Sequence, residues 1–314
     1  MERRTDKEEN RPGVKMYDGI INVYKEKGFT SFDVVAKMRG ILGQRKVGHT
    51  GTLDPAAEGV LPVCAGKGTR LCDMLTDHDK TYRATMLLGV VTDTQDTTGT
   101  VLAEKAAEHL TEEEVREVIM SFVGDYDQIP PMYSALKVDG KKLYELAREG
   151  KEVERKARPV KIHEIVIESM NLPEVVMSVS CSKGTYIRTL CHDIGEKLSV
   201  GGCMKELLRT KVGRFLLEDT LTLADLQKLK EEGRLGEAVF PLEAVFADHP
   251  EIRASEEGLD KLVRNGNPFR YKGIGPVSDG DPYNVYSMDG QFIGIYEYSE
   301  EKRMFYPRKI FLGQ

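Results

Sequence analysis

Residues 48–59 read Gly48-His49-Thr50-Gly51-Thr52-Leu53-Asp54-Pro55-Ala56-Ala57-Glu58-Gly59. The three glycines permit unusual backbone angles and the close approach of a large ligand. Pro55 restricts the residue before it to an extended or turn conformation, which fixes the direction of the Asp54 carboxylate. Loops on rigid elements often carry catalytic groups, but an Asp in a turn also caps its own backbone. From spacing alone, a structural turn explains this loop at least as well as a catalytic Asp54.

The segments around this loop alternate between strand and helix patterns. Strands are predicted at 19–25 and 81–90, and as a pair at 161–169 and 174–182. Helices are predicted to begin at Ser31, at Thr111 and at Thr222, and to cover 184–198. From about residue 251 the pattern changes to short apolar runs separated by Gly, Pro and Asn turns, which predicts a small all-β domain.

The composition is that of a soluble globular protein. Of 314 residues, 40% are hydrophobic and 31% are charged, and no apolar run approaches the roughly 20 residues of a membrane span. The five cysteines form no Cys-x-x-Cys pair, which favours free thiols in a reducing cytoplasm. The six histidines are scattered, so no metal site is predicted. Residues 1–15 are charged without an apolar core, and we expect a disordered tail, with Met16 as a possible true start.

Charge alone gives no clear partner. The net charge of −6 argues against a generic nucleic-acid coat protein but is compatible with a local basic groove. Residues 136–161 supply such a stretch, with nine basic and five acidic side chains. On charge alone, a solvated face is the better interpretation of this segment.

Two patterns that resemble other active sites are rejected. Ala65-Gly66-Lys67-Gly68-Thr69 has Gly68 where a phosphate-binding loop needs Ser or Thr. Cys191-His192-Asp193 cannot act as a triad, because adjacent residues on a helix point in different directions. Cys191 instead falls on the apolar face of the predicted helix.

Five motifs together resemble the TruB family of tRNA pseudouridine-55 synthases. They are GHTGTLDPAAEGVLPVCAGKGTR (48–70), KTYRATMLLGVVTDTQDTTG (80–99), QIPPMYSALKVDGKKLYELAREG (128–150), CSKGTYIRTLCHDIGEKL (181–198) and LLRTKVGRF (207–215). NGNPFR (265–270) and GQFIGIYEY (290–298) resemble the family's C-terminal PUA-like domain. The motifs occur in order over nearly the whole chain; only the first fifteen or so residues have no counterpart.

The resemblance implies an α+β fold with a central, mostly antiparallel sheet flanked by helices, and a small C-terminal all-β PUA-like barrel. It implies a catalytic domain over 16–248, with an RNA-clasping segment at 136–161, and a PUA-like RNA-binding domain over 249–314. The implied substrate is the T-arm stem-loop of tRNA, in which the uridine at position 55 becomes pseudouridine without a cofactor. No membrane or protein partner is implied, and a cytoplasmic monomer is expected.

The resemblance also assigns roles to single residues. Asp54 matches the catalytic carboxylate, Arg188 the arginine that pairs with it, and Tyr82 the aromatic residue that stacks on the target uracil. His49 matches the residue that fills the space of the flipped nucleotide, and Leu207 one that packs against the base. Tyr186 and Lys183 are expected to shape the pocket. Phosphate contacts are expected from Lys141, Lys142 and the other basic residues of 136–161, and from Arg209, Lys211 and Arg214.

Each of these residues also has an ordinary structural explanation. Arg188 fits a solvated helix charge, while Tyr82 and Leu207 fit core positions. Two other functions compete with the isomerase: a tRNA-folding chaperone in which catalysis is incidental, and a glycosidase that pairs Asp54 with Glu58. Against the glycosidase stand Pro55 between the two carboxylates and the lack of any tryptophan.

Overall fold

The computed structural model describes residues 16–138 and 140–312. The prediction of a disordered tail over 1–15 lies outside these residues. Within the described ranges the chain forms seven α-helices and seventeen β-strands. The helices are α1 (Ser31–Leu42), α2 (Cys72–Thr76), α3 (Glu112–Met120), α4 (Leu143–Arg148), α5 (Ile187–Lys197), α6 (Leu223–Glu231) and α7 (Glu257–Arg264). The strands are β1 (Gly19–Lys25), β2 (Val47–His49), β3 (Glu58–Ala65), β4 (Lys80–Leu88), β5 (Val90–Thr92), β6 (Val101–Glu104), β7 (Gly124–Gln128), β8 (Lys137–Val138), β9 (Lys141–Lys142), β10 (Arg158–Asn171), β11 (Glu174–Cys181), β12 (Gly202–Val212), β13 (Phe215–Leu216), β14 (Glu251–Arg253), β15 (Pro282–Tyr286), β16 (Phe292–Ser299) and β17 (Met304–Ile310).

A nine-stranded sheet forms the centre of the chain. Its order is β1-β3-β12-β4-β11-β10-β7, with β2 paired to β3 and β13 paired to β12. Every pairing is antiparallel except that between β12 and β3. Gly59 makes this parallel contact possible, because a Cβ there would lie 2.2 Å from the carbonyl oxygen of Arg209. The predicted α+β class with a mostly antiparallel sheet is confirmed.

Helices cover the sheet through two apolar clusters. One sets α3 and α5 against β4, β10 and β11, and includes Met86, Ile162, Met177 and Leu190. The other sets α1 and α6 against β1 and β3. Burial of this apolar surface is the main force that holds the helices on the sheet. Cys191 is fully buried in the first cluster, as the apolar face of its helix predicted.

Most predicted elements form, with small differences at their ends. The strand at 19–25 and the helix starts at Thr111 and Thr222 are as predicted, and both threonines make capping boxes. The first helix is capped by Thr30, while Ser31 is its first residue. The strand predicted over 81–90 stops at Leu88, because Gly89 has φ +86° and turns the chain into β5.

The C-terminal segment contains its own four-stranded sheet, in the order β14-β15-β16-β17. Helix α7 lies inside the segment predicted to be all-β, and its Leu259 and Val263 are buried in the same core as the strands. The turn-rich sequence around α7 concealed this eight-residue amphipathic helix. Ile295 and Phe311 join a cluster with β1, β3 and β12, so the small sheet packs against the large one.

Two further observations concern the helices and the cysteines. In the described part of the chain, no helix is long and apolar enough to span a membrane. The five cysteines are free, and four of them are buried.

Candidate active site

Asp54 and Arg188 lie side by side, although they are far apart in the sequence. Asp54 lies in the loop between β2 and β3, here called the Asp54 loop (residues 50–57), and Arg188 lies in the first turn of α5. Arg188 Nε is 3.0 Å from Asp54 Oδ2. The Asp54 side chain is 40% exposed, whereas that of Arg188 is 6% exposed. The pair therefore presents a carboxylate that a ligand can reach, held from behind by a buried cation.

The remaining nitrogens of Arg188 are also occupied. Nη1 donates to the Thr94 carbonyl and Nη2 to the Tyr133 carbonyl, both at 2.9 Å. The carboxylate of Asp96 lies 3.6 Å from Nη1. These contacts leave Nε for Asp54 and fix the plane of the guanidinium, so the orientation of Arg188 does not depend on Asp54.

Asp96 is a residue that the sequence analysis missed. Its side chain is 10% exposed, and its Oδ1 accepts hydrogen bonds from the Thr94 hydroxyl and from the amide and hydroxyl of Thr98. The threonines two residues before and after an aspartate, in Thr94-Gln95-Asp96-Thr97-Thr98, are typical of a turn held by the Asp side chain. That pattern predicts a fixed turn, but it does not predict that Asp96 Oδ2 faces Arg188.

Tyr82 lies on β4 with its side chain buried. Burial raises the pKa of its phenol, while the positive charge of the neighbouring Arg209 opposes that shift. The negative charge of Asp54 raises this pKa further, and Tyr82 lies in the same apolar cluster as Leu53, the residue before Asp54. The phenol of Tyr82 therefore stays protonated at neutral pH.

Arg209 is buried, which contradicts the prediction that it contacts phosphates. Its side chain is 1% exposed on β12. Nε donates to the Val60 carbonyl at 2.7 Å and Nη2 to the Gly51 carbonyl at 3.2 Å, while Nη1 is 3.5 Å from the Thr52 carbonyl. The prediction failed because the basic side chain was placed on the surface, whereas it points inward and binds the Gly51 and Val60 carbonyls. Arg209 fastens the Asp54 loop to the sheet.

We predict that Arg209→Met destabilises the protein by about 1–3 kcal/mol, because buried carbonyls lose charged donors that a thioether cannot replace. Turnover should fall as well, since the Asp54 loop loses its attachment to β12. Urea unfolding and steady-state turnover measure the two effects. Lys205→Met is the matched control, because Lys205 is exposed on the same strand. Unchanged stability and turnover in Arg209→Met would contradict this role.

Lys25 holds the same loop from the other side. It is fully buried at the end of β1, and its ammonium donates to the Ala57 carbonyl at 2.6 Å and lies 3.4 Å from the Pro55 carbonyl. Burial lowers the pKa of Lys25 to about 8. Alternation along β1 places Lys25 on the same face as the buried Ile21 and Val23, a signal that the sequence analysis did not use. Two buried cations thus bind backbone carbonyls on both sides of Asp54.

His49 is half-buried at the end of β2. Its Nδ1 accepts from the Gly51 amide at 3.3 Å, and its ring lies edge-on to Phe32 with centroids 5.7 Å apart. Burial and the charge of Arg209 lower the pKa of His49. The ring is therefore neutral at neutral pH and can contact an apolar or aromatic surface.

Leu207 and Tyr186 border the same region. Leu207 is half-buried on β12, pairs with Ala84 of β4 and packs on the first apolar cluster. Tyr186 caps α5, and its backbone makes two hydrogen bonds with the Gln128 side chain. Burial raises the pKa of Tyr186, and the charge of Asp54 contributes to the shift.

The predicted lysines and the remaining arginine lie further out. Lys183 is exposed and forms an ion pair with Asp77 at 2.8 Å, so the structure does not bring it to Asp54. Lys141 is exposed on β9, whereas the ammonium of Lys142 is 3.2 Å from the Tyr144 hydroxyl. Arg214 is exposed and lies over the ring of Phe240.

Solved structures share this arrangement of strands and helices. The chain superimposes on a chain of "Crystal Structure of a Cbf5-Nop10-Gar1 Complex" with a TM-score of 0.70 and 26% identity, covering 98% of this chain and 92% of that one. A chain of "Structure of H/ACA RNP bound to a substrate RNA containing 2'-deoxyuridine" has the same TM-score at 24% identity, covering 98% and 93%. The protein has the pseudouridine synthase fold.

Sequence comparisons are more specific than the fold. The family model for the N-terminal domain of TruB family pseudouridylate synthase matches residues 39–187, and that for the C-terminal domain of tRNA pseudouridylate synthase B matches residues 188–247. The tRNA pseudouridine synthase B of Lachnoclostridium phytofermentans is 52% identical over 308 residues, covering 94% of this chain and 100% of the relative. That of Clostridium tetani is 45% identical over 285 residues, covering 90% and 96%. The chain belongs to the TruB family of pseudouridylate synthases, and it is therefore an isomerase.

Proposed function

We propose that this protein converts the uridine at position 55 in the T-loop of tRNA to pseudouridine, with Asp54 as the catalytic carboxylate and without a cofactor. The observation that carries the proposal is the 3.0 Å contact between Arg188 and the accessible carboxylate of Asp54. The names of its relatives, tRNA pseudouridine synthase B, support tRNA as the substrate.

The reaction has three steps. The bond between uracil N1 and ribose C1′ breaks, the base rotates, and a bond from C5 to C1′ forms; C5 then loses its proton and N1 gains one. A carboxylate can serve as nucleophile toward the sugar or the base, or it can remove a ribose proton. Each of these roles requires an ionised Asp54 after a bound nucleotide has excluded water. The positive charge of Arg188, whose Nε lies 3.0 Å from Asp54 Oδ2, stabilises the negative charge on that carboxylate.

The residues around Asp54 fit a flipped uridine. Extruding a nucleotide costs a few kcal/mol, and a side chain that restores lost stacking lowers this cost. The neutral ring of His49 takes that part in the proposal. Tyr82 stacks on the uracil, Leu207 packs against it, and Tyr186 completes the wall of the pocket.

Affinity for tRNA comes from surfaces outside this pocket. The 136–161 segment supplies phosphate contacts, which fix the register of the RNA but carry no sequence information. The C-terminal segment, 249–314, serves as a PUA-like RNA-binding domain in the proposal. Arg209 has no part in these contacts, because it is buried.

Release of tritium from tRNA labelled at uracil C5 tests the function directly. The wild-type protein should release tritium from tRNA that carries the T-loop uridine. It should release none when only that uridine is replaced. Equal release from both RNAs would show that another uridine is the target.

We predict that replacing Lys141 and Lys142 together by Ala weakens tRNA binding and flattens its salt dependence. Each lost phosphate contact changes the slope of log K against log salt by roughly one unit. Lys142 contributes the smaller part, because its ammonium lies beside Tyr144. Filter binding over a salt series measures the slope. The control replaces Lys228 and Lys230, two exposed lysines of α6. An unchanged slope in the Lys141/Lys142 variant would mean that the 136–161 segment is a solvated face without phosphate contacts.

A further inference from the structure

Phe32 is an exposed aromatic residue that folding does not explain. Its side chain is 71% exposed, the highest value among the exposed large hydrophobic residues in the described part of the chain, and it is the one aromatic residue of that set. It is the second residue of α1, whose core face is formed by Val34, Val35 and Met38. Phe32 lies off that face, so its ring contributes little to the core.

Phe32 is nevertheless held close to the active site. The Ser31 hydroxyl accepts a hydrogen bond from the Leu53 amide at 2.9 Å and lies 3.3 Å from the Leu53 carbonyl. Ser31 precedes Phe32 and Leu53 precedes Asp54, so these contacts join the start of α1 to the Asp54 loop. The ring of Phe32 also stands perpendicular to that of His49, with 5.7 Å between centroids and 88° between planes.

We propose that Phe32 is a stacking platform for an unpaired nucleobase of the RNA, next to the nucleotide that enters the Asp54 pocket. This inference rests on the proposed function, because it takes RNA as the substrate. Flipping one nucleotide out of a loop leaves its neighbours without a stacking partner, and unstacked bases in RNA loops bind to aromatic side chains.

The surroundings of Phe32 favour a base over a protein partner. Its neighbours on the surface, Thr30, Asp33, Ala36 and Lys37, are exposed and mostly polar. A single aromatic ring among them is far smaller than the about 1,200 Å² that a stable protein interface buries. A nucleobase has the size and the flat apolar face that one ring can cover.

The first test measures binding of a T-arm stem-loop to Phe32→Ala and Phe32→Trp. Phe32→Ala should bind roughly tenfold more weakly, as expected for the loss of one base–aromatic stack. Phe32→Trp should bind like the wild type, because it keeps a flat aromatic ring. Leu102→Ala is the matched control, since Leu102 is 65% exposed on β6. Wild-type affinity in Phe32→Ala would overturn the proposal.

A second test identifies the base. The stem-loop is prepared with an abasic site at each T-loop position in turn, and both the wild type and Phe32→Ala are titrated with every RNA. When the abasic site is at one position next to the target uridine, Phe32→Ala should bind the RNA with the same affinity as the wild type. A loss of equal size with every abasic RNA would overturn base stacking. If the wild type binds the stem-loop but forms no pseudouridine, the proposed function fails while the stacking test still stands.

Discussion

Asp54→Asn should release no detectable tritium from C5-labelled tRNA while it binds that tRNA as well as the wild type does. The substitution keeps the size and shape of the side chain but removes the charge, so the residue can neither attack carbon nor accept a proton. Arg188 stays in place, because Thr94, Tyr133 and Asp96 hold it independently. Affinity should be unchanged, because in the proposed complex it comes mainly from phosphate contacts and the shape of the T-loop.

The matched control for Asp54→Asn is Glu58→Gln. Glu58 is the second carboxylate that a glycosidase mechanism would need, but it is the first residue of β3, and its carboxylate lies 3.4 Å from the Tyr24 hydroxyl. It should therefore keep wild-type turnover. Appreciable pseudouridine formation by Asp54→Asn would remove Asp54 from the mechanism, and a parallel loss of binding would make it a structural residue. If Asp54→Asn still supported tRNA folding in cells, the chaperone role would gain support.

Local patterns in the sequence predict the elements of this fold well. Strand β1 and the helix starts at Thr111 and Thr222 depend on side chains a few residues apart, which is the range over which capping and alternation act. Helix α7 was missed, because eight residues between turn-rich segments give only two buried apolar positions. Its helical form depends on packing against β15–β17, which a local pattern does not contain.

Local sequence patterns predict the contacts of the active site less well. Spacing left Asp54 undecided between a turn and a catalytic group, and family resemblance alone connected it to Arg188. Asp96, Lys25 and Arg209 act through contacts made by residues distant in the chain. Charged residues are usually exposed, so two fully buried cations under the Asp54 loop run against the general expectation. Only the three-dimensional arrangement shows that they bind carbonyl oxygens.

Arg188→Lys should lower turnover by about 100-fold, the size of effect expected when a reacting group is displaced by about 1 Å. A guanidinium reaches Asp54, Asp96 and two carbonyls from one rigid plane, whereas an ammonium is a single point charge and cannot keep all these contacts. The positive charge remains, so a large loss would show that geometry rather than charge positions Asp54.

A measurement of tRNA binding distinguishes a loss of turnover in Arg188→Lys from a general loss of structure. The Arg188 side chain is 6% exposed, so it is not available to phosphates, and Arg188→Lys should bind tRNA like the wild type.

Arg83→Lys is the matched control, because Arg83 forms a surface ion pair with Glu168 at 2.6 Å, and exposed pairs contribute little to stability. Single-turnover tritium release at saturating enzyme measures the chemical step for both variants. Wild-type rates in Arg188→Lys would mean that the charge alone is sufficient, and weaker binding would place Arg188 in contact with the RNA. A loss confined to the chemical step is the result expected if Thr94, Tyr133 and Asp96 hold the guanidinium in the one orientation that positions the Asp54 carboxylate.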